Sequence, residues 1–294
     1  MAFGVLTLPD AQLAPLQRAY AEARNRKRMQ ALLAFGLIVV GVIASGFVAE
    51  VRLDTLAAHI DRLGGYIGRI FLLENKRPVW TDPVEWFWGF WKWSRLIGET
   101  LVIAYLGTLI GGLGAFVLCF LAASNLTGNA VTRLAARRFL EFCRTVPELV
   151  FALLFVASFG LGPLPGVLAL AIHTLGALGK QFAEVVENAD MKPFEGVSAT
   201  GGTWVESVRF AILPQVMSNF ASYGLLRFEI NVRESAIMGF VGAGGIGQDL
   251  LVAVRRFYYS DVSAIVLMII ATVAIIDLLT EQVRRRMIGR EQQS

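Results

Sequence analysis

Six polar residues stand out in an otherwise apolar chain: His173, Arg227, Glu229, Asn231, Arg233 and Glu234. Arg227, Asn231 and Glu234 recur at i, i+4 and i+7, which puts them on one helical face. Glu229 and Arg233 follow at i, i+4 in the order that favours an ion pair. Guanidinium groups grip oxyacid anions through two parallel hydrogen bonds, so arginines here suit an anionic oxyacid. The alternative is mutual neutralisation, in which Arg227–Glu234 and Glu229–Arg233 simply lock helices together. His173 sits in the middle of another apolar run, where it either lines a path or hydrogen-bonds across helices. Glu148 follows Pro147, which points to a kink with a snorkelling carboxylate. Asp277, inside the last apolar run, is expected to pair with a neighbouring polar group.

Other apparent chemistry dissolves on inspection. Gly242-Ala243-Gly244-Gly245-Ile246-Gly247 matches the G-x-G-x-x-G dinucleotide fingerprint. That fingerprint needs a strand before it, a helix after it and an acid about 20 residues on. Here it lies between two apolar runs, so Gly242, Gly244, Gly245 and Gly247 read as a close-packed backbone turn or hinge. Gly179-Lys180 is followed by Gln181, so no G-x-x-x-x-G-K-[ST] exists and the chain does not hydrolyse nucleotide by itself. His59 and His173 are the only histidines, and no Cys/His spacing suits a metal. No catalytic constellation can be assembled. Cys119 and Cys143 read as small packing residues.

The elements that position these residues follow from composition. Of 294 residues, 55% are hydrophobic and 17% charged, against about 25% charged in soluble chains. Mean hydropathy is +0.59. The chain is therefore an all-α polytopic membrane protein, because its apolar runs are long rather than alternating. About six transmembrane helices are expected near 31–50, 97–123, 139–160, 164–187, 210–232 and 262–283. The run from Ala31 to Ala49 is too long for a signal-peptide core and reads as an uncleaved span.

Basic residues orient this topology. Arg18, Arg24, Arg26, Lys27 and Arg28 precede the first span, and Arg133, Arg137 and Arg138 follow the second. Lys192 and Arg209 lie between the fourth and fifth, and Arg284, Arg285, Arg286 and Arg290 close the chain. Six spans put all four groups on one side, the cytoplasm, with both termini. The divisions are a cytoplasmic N-terminal arm over 1–30, the first span over 31–50, an extracytoplasmic segment over 51–96, a core over 97–283 and a basic tail over 284–294. Leu56, Ile60, Leu63, Ile67 and Ile70 predict an amphipathic helix along the outer membrane surface. Trp80, Trp86, Trp88, Trp91 and Trp93 predict an interfacial belt. Arg227 lies 13 residues beyond Pro214, about 20 Å along the fifth helix and past the midplane.

The segment 188–214 interrupts the membrane pattern. It is long enough for two short helices, with Pro193 in a first turn and Gly201 at a sharp bend. Val197, Trp204, Val205 and Val208 offer an apolar contact face. Glu195, Gly201, Leu213 and Pro214 fall at the offsets of the EAA loop of ABC importer permeases, which the segment resembles. Gly196 and Val197 replace the two alanines of that pattern, and Ala211 replaces its isoleucine.

The core resembles the type I permease fold of the methionine-importer kind. Ordered strings narrow the resemblance to phosphonate/phosphite importer permeases. They include Arg144-Thr145-Val146-Pro147-Glu148, Gly160 through Leu170, Ile172-His173-Thr174, Leu213 through Val216, Arg227 through Arg233 and Val241 through Gly247.

The resemblance implies that Glu195, Gly196, Ala199, Gly201, Leu213 and Pro214 belong to a coupling helix that docks on a separate ATPase. It also implies a homodimer in a bacterial inner membrane, with two ABC ATPase subunits and an extracytoplasmic phosphonate-binding protein. ATP and Mg would be held by the ATPase, with no cofactor in this chain. Lipid is the surrounding partner and nucleic acid is not expected. Two other readings are a permease for another solute such as methionine, and a stand-alone carrier or channel.

Overall fold

The computed structural model describes residues 10–50 and 53–291. Sequence readings on residues 1–9, 51–52 and 292–294 lie outside the described residues, as do the side chains of Arg18, Leu56 and Arg290. The chain divides into two units at Gly65/Tyr66. The first holds α1 (Asp10–Val48) and most of α2 (Leu53–Ile70). Over Ala19–Val48 the α1 helix is long, apolar and unburied, as a lipid-facing span must be. Ile60, Leu63 and Ile67 form an uncovered stripe on α2, in keeping with the amphipathic helix expected there.

The second unit is a helical bundle. Its elements are α3 (Pro83–Trp86), α4 (Phe90–Ala122), α5 (Ala130–Thr145), α6 (Glu148–Phe159), α7 (Pro163–Glu187), α8 (Lys192–Ala199), α9 (Trp204–Ser207), α10 (Leu213–Met238), α11 (Ile246–Arg255) and α12 (Tyr259–Glu291). A π-helical turn over Val208–Ile212 leads into α10, and a 3-10 turn over Gly239–Val241 leaves it. Among the described residues there is no strand, only one isolated bridge between Leu72 and Pro78.

Three apolar clusters hold the bundle. One joins α4, α5, α7 and α10 through Phe120, Leu140, Leu178, Phe182, Ile212 and Phe220, with Phe182 and Phe220 stacked at 4.0 Å. A second joins Ile103, Ala152, Leu170, Met238 and Ala243. The third packs Trp93 with Ile246, Val262 and Ile265. The α4 and α7 helices pack closely: a side chain on Gly111 would come within 2.5 Å of the Ala171 carbonyl. Small residues at this crossing let the two backbones meet, as membrane helices require. Cys119 and Cys143 are buried free thiols, which fits their packing role.

Several sequence expectations are corrected. The run 139–160 is not one straight span: α5 and α6 meet at 83°. Pro147 has no amide hydrogen and pushes Val146 out of helical geometry, so the helix stops there. Among the described residues, three helices are long and apolar enough to cross a membrane alone, or up to five counting each bent pair as one. The expected fourth span, α7, lacks that apolarity although its 25 residues reach about 38 Å. Protein rather than lipid encloses α7, so its surface need not be uniformly apolar. The tryptophans do not act as one belt. Trp80 and Trp91 are exposed, whereas Trp93 is buried in the third cluster. Trp86 donates to Ser263 at 3.0 Å and Trp88 to Asp261 at 2.9 Å.

Candidate functional site

The first candidate is the loop built from α8 and α9. Pro193 lies in the first turn of α8, where its missing amide hydrogen costs nothing. Gly201 then turns the chain at φ +89°, a conformation that side chains oppose. Its amide donates to Ser198 at 3.1 Å, and Gly202 donates to Val197 at 3.1 Å. Thr203 caps α9 in a reciprocal box: its amide donates to Glu206 at 2.7 Å and its hydroxyl accepts from the Glu206 amide. Those bonds to Thr203 hold the Glu206 carboxyl below its usual range.

Trp204 Nε1 donates to the Leu126 carbonyl at 3.1 Å and ties α9 to the α4–α5 loop. Gln215 and Asp190 exchange two hydrogen bonds of 3.0 and 3.1 Å across the base of the loop. The outer face is left free: Glu195, Gly196, Ala199, Gly201 and Pro214 are exposed, and Leu213 is half-buried. Val205 is exposed as well, but Val208 is a core residue and not part of the expected contact face.

The second candidate is the polar set on α10, which separates into three groups. Arg227 Nη2 donates to Glu234 at 3.1 Å. Beside this pair, His173 Nδ1 lies 3.2 Å from the Val146 carbonyl and 3.7 Å from Glu148. Glu148 therefore turns inward toward His173, correcting the snorkelling expectation. The α5–α6 break is what aims it there. Arg227, Glu148 and Arg144 all lie close enough to His173 for their charges to act on it.

Asn231 behaves differently from its expected partners. It is fully buried and donates to Thr108 at 2.8 Å and Thr174 at 2.9 Å. It thereby ties α10 to α4 and α7. Replacing Asn231 with Leu removes both bonds, leaving Thr108 only its bond to the Ala104 carbonyl, at a cost of about 1–2 kcal/mol. We expect a lower thermal midpoint of the purified protein, measured by a thermal scan in detergent; an unchanged midpoint would contradict this tie.

The third group faces α12. Arg233 pairs with Glu229 and approaches Asp277 at 4.0 Å. Thr280 reaches Glu229 at 3.5 Å. The Asp277 expectation of a polar neighbour is met by Arg233, at the outer limit of an ion pair.

The glycine turn is also seated by residues that the sequence reading missed. Gly242, Gly244 and Gly245 have φ of +84°, +86° and +78°, and the whole turn is buried. Glu99 accepts from the Gly245 amide at 3.1 Å, and Thr100 from the Ile246 amide at 2.9 Å. Two side chains of α4 thus cap the start of α11, where helix amides have no internal partner. The only sequence signal was an acid at Glu99 beside an apolar run.

At the tryptophan-bearing end, residues 66–93 are clamped to the α11–α12 junction. Arg69 lies over the Tyr259 ring at 5.7 Å, and Lys92 pairs with Asp249 at 2.5 Å. Between them opens a cleft of about 880 Å³, lined among others by Arg69, Glu74, Trp88, Phe257 and Tyr259.

A bent, close-packed helical bundle with an exposed two-helix loop is the architecture of an ABC importer permease. An inward-facing methionine ABC transporter structure shares it, with a TM-score of 0.57 and 18% identity over 67% of this chain and 97% of that one. A bacterial ABC transporter that imports alginate does so with a TM-score of 0.58 and 14% identity, over 85% and 98%.

The chain belongs to the family of binding-protein-dependent transport system inner membrane components, matched over residues 115–289. It is a multi-pass inner-membrane transport subunit, which sets aside a stand-alone carrier or channel. It is 34% identical to the phosphite transport system permease protein of Stutzerimonas stutzeri, over 96% of this chain and 98% of that one. It is 42% identical to the phosphate-import permease protein of Mycolicibacterium smegmatis, over 65% of this chain and 36% of the relative.

Proposed function

We propose that this permease carries phosphite, phosphonate or a related phosphorus oxyanion into the cell in an ATP-driven importer. The observation that carries this reading is the end-to-end similarity to the phosphite permease of Stutzerimonas stutzeri. Arginines in α10 are consistent with an oxyanion cargo and give a methionine-type solute no support.

Two copies of the chain form the path, and each presents its α8–α9 loop to one ATPase subunit. The exposure of Glu195, Gly196, Ala199 and Gly201, on a loop braced by Trp204 and Gln215, supports this docking role. A short rigid helix passes the push of ATPase closure into α10. ATP and Mg are held by the ATPase. Both termini lie in the cytoplasm, in keeping with their basic residues. An external binding protein docks at the opposite end, over the cleft between residues 66–93 and the start of α12.

The test is reconstitution of the chain with its ATPase and binding protein in liposomes. We expect phosphite uptake that requires ATP on the ATPase side. Phosphite uptake by the chain alone without ATP would overturn the reading.

A further inference from the structure

Within the import function proposed above, we infer that Arg227 is a transit site for the substrate oxyanion, which takes the place of Glu234 on its guanidinium. The side chains of Arg227, His173, Glu234 and Glu148 keep 11%, 14%, 20% and 22% of their surface open. Charged groups with open surface do not face hydrocarbon. They therefore face a water-filled path or the second copy of the chain. The Arg227 fork is also incompletely used. Nη2 is held by Glu234, whereas Nε is buried with no acceptor among the described residues.

A buried donor without an acceptor is unfavourable, so the free edge of Arg227 is chemically incomplete. The tetrahedral head shared by phosphite and alkylphosphonates supplies two oxygens at the spacing that a guanidinium fork accepts. Glu234 keeps Arg227 neutralised while the site is empty. An incoming anion must compete with that carboxylate, which favours doubly over singly charged anions. Return of Glu234 to Arg227 releases the cargo, so the exchange leaves no deep trap along the path. His173 is held nearby by the Val146 carbonyl at 3.2 Å and Glu148 at 3.7 Å, across the α5–α6 break.

The experiment uses the complete complex in liposomes, with labelled phosphite as probe. It compares wild type, Arg227→Lys, and the double variant Arg227→Gln/Glu234→Gln. Uptake and binding-protein-stimulated ATP hydrolysis are both measured. Removing both partners of an ion pair leaves no uncompensated charge, so the double variant keeps assembly. We expect it to retain stimulated ATP hydrolysis while phosphite uptake falls about tenfold or more. Arg227→Lys keeps the charge but loses the fork, and should show the same split.

Wild-type uptake in either variant would overturn the transit site and leave Arg227–Glu234 as a structural lock. A different failure belongs to the import reading: an assembled wild-type complex that takes up no phosphite, methylphosphonate or phosphate would remove that reading and this site together.

Discussion

Gly201→Pro is expected to abolish binding-protein-stimulated ATP hydrolysis while the protein still inserts and assembles its bundle. Gly201 holds φ +89° and donates its amide to Ser198. Proline forces φ to about −65° and has no amide hydrogen, so both features fail at once. A cost of about 3 kcal/mol leaves the native loop in roughly one molecule in a hundred. The damage stays local, because Gly201 is exposed and a side chain there meets nothing within 4 Å.

The α8 and α9 helices lose their mutual angle, including the Ser198–Ser207 contact of 3.1 Å. Under the proposed docking, ATPase motion would then have no rigid lever to act on. Gly201→Ala pays only the left-handed penalty of about 1–2 kcal/mol and should retain partial stimulation, about tenfold down. The measurement is ATP hydrolysis by the reconstituted complex with and without loaded binding protein. Full stimulation in Gly201→Pro would remove the coupling role of this loop.

That loop was legible because its signals are local. Pro193 and Gly201 are read within ten residues, and each does what its type predicts. The Arg227–Glu234 and Glu229–Arg233 pairs were legible for the same reason, since helical periodicity fixes them. Asn231 shares the Arg227 face by periodicity, yet its partners Thr108 and Thr174 lie on other helices. Nothing in its own segment reveals them.

Glu148 illustrates the same limit. Its neighbour Pro147 signalled a bend, but the length of the run 139–160 matched a full span and hid how sharp the break is. Only the resulting geometry brings Glu148 to His173. The Glu99 and Thr100 caps on α11 come from 146 residues away, beyond the reach of any periodic reading. Trp86 and Trp93 were grouped with the exposed tryptophans by composition. Tertiary contacts with α12 separate them, and aromatic side chains serve cores and interfaces equally well.

Gly247→Ala should be the most damaging single-methyl change in the bundle. The added carbon would stand 1.8 Å from the Ala236 carbonyl oxygen. Both sides of this contact are backbone, so no flexible side chain can swing away. Gly239 crosses at the same point, where a side chain would meet the Gly247 Cα at 2.6 Å. The end of α10 and the start of α11 therefore touch backbone to backbone, and either must move to admit a methyl group. Overpacking of this kind costs about 1–3 kcal/mol and more where the surroundings are rigid.

The Glu99 and Thr100 caps make these surroundings rigid, because shifting α11 breaks two hydrogen bonds with the same movement. We expect about 3 kcal/mol or more of destabilisation. The readouts are the thermal midpoint and the fraction of monodisperse protein after detergent extraction. Gly98→Ala is the matched control: it lies in α4 with nothing within 4 Å, and alanine there should stabilise the helix by up to about 1 kcal/mol. If Gly247→Ala matches wild type in both readouts, the α10–α11 crossing is looser than this packing requires. The turn would then owe its glycines to the positive φ angles of Gly242, Gly244 and Gly245 alone, and Gly245→Ala should still fail where Gly247→Ala succeeds.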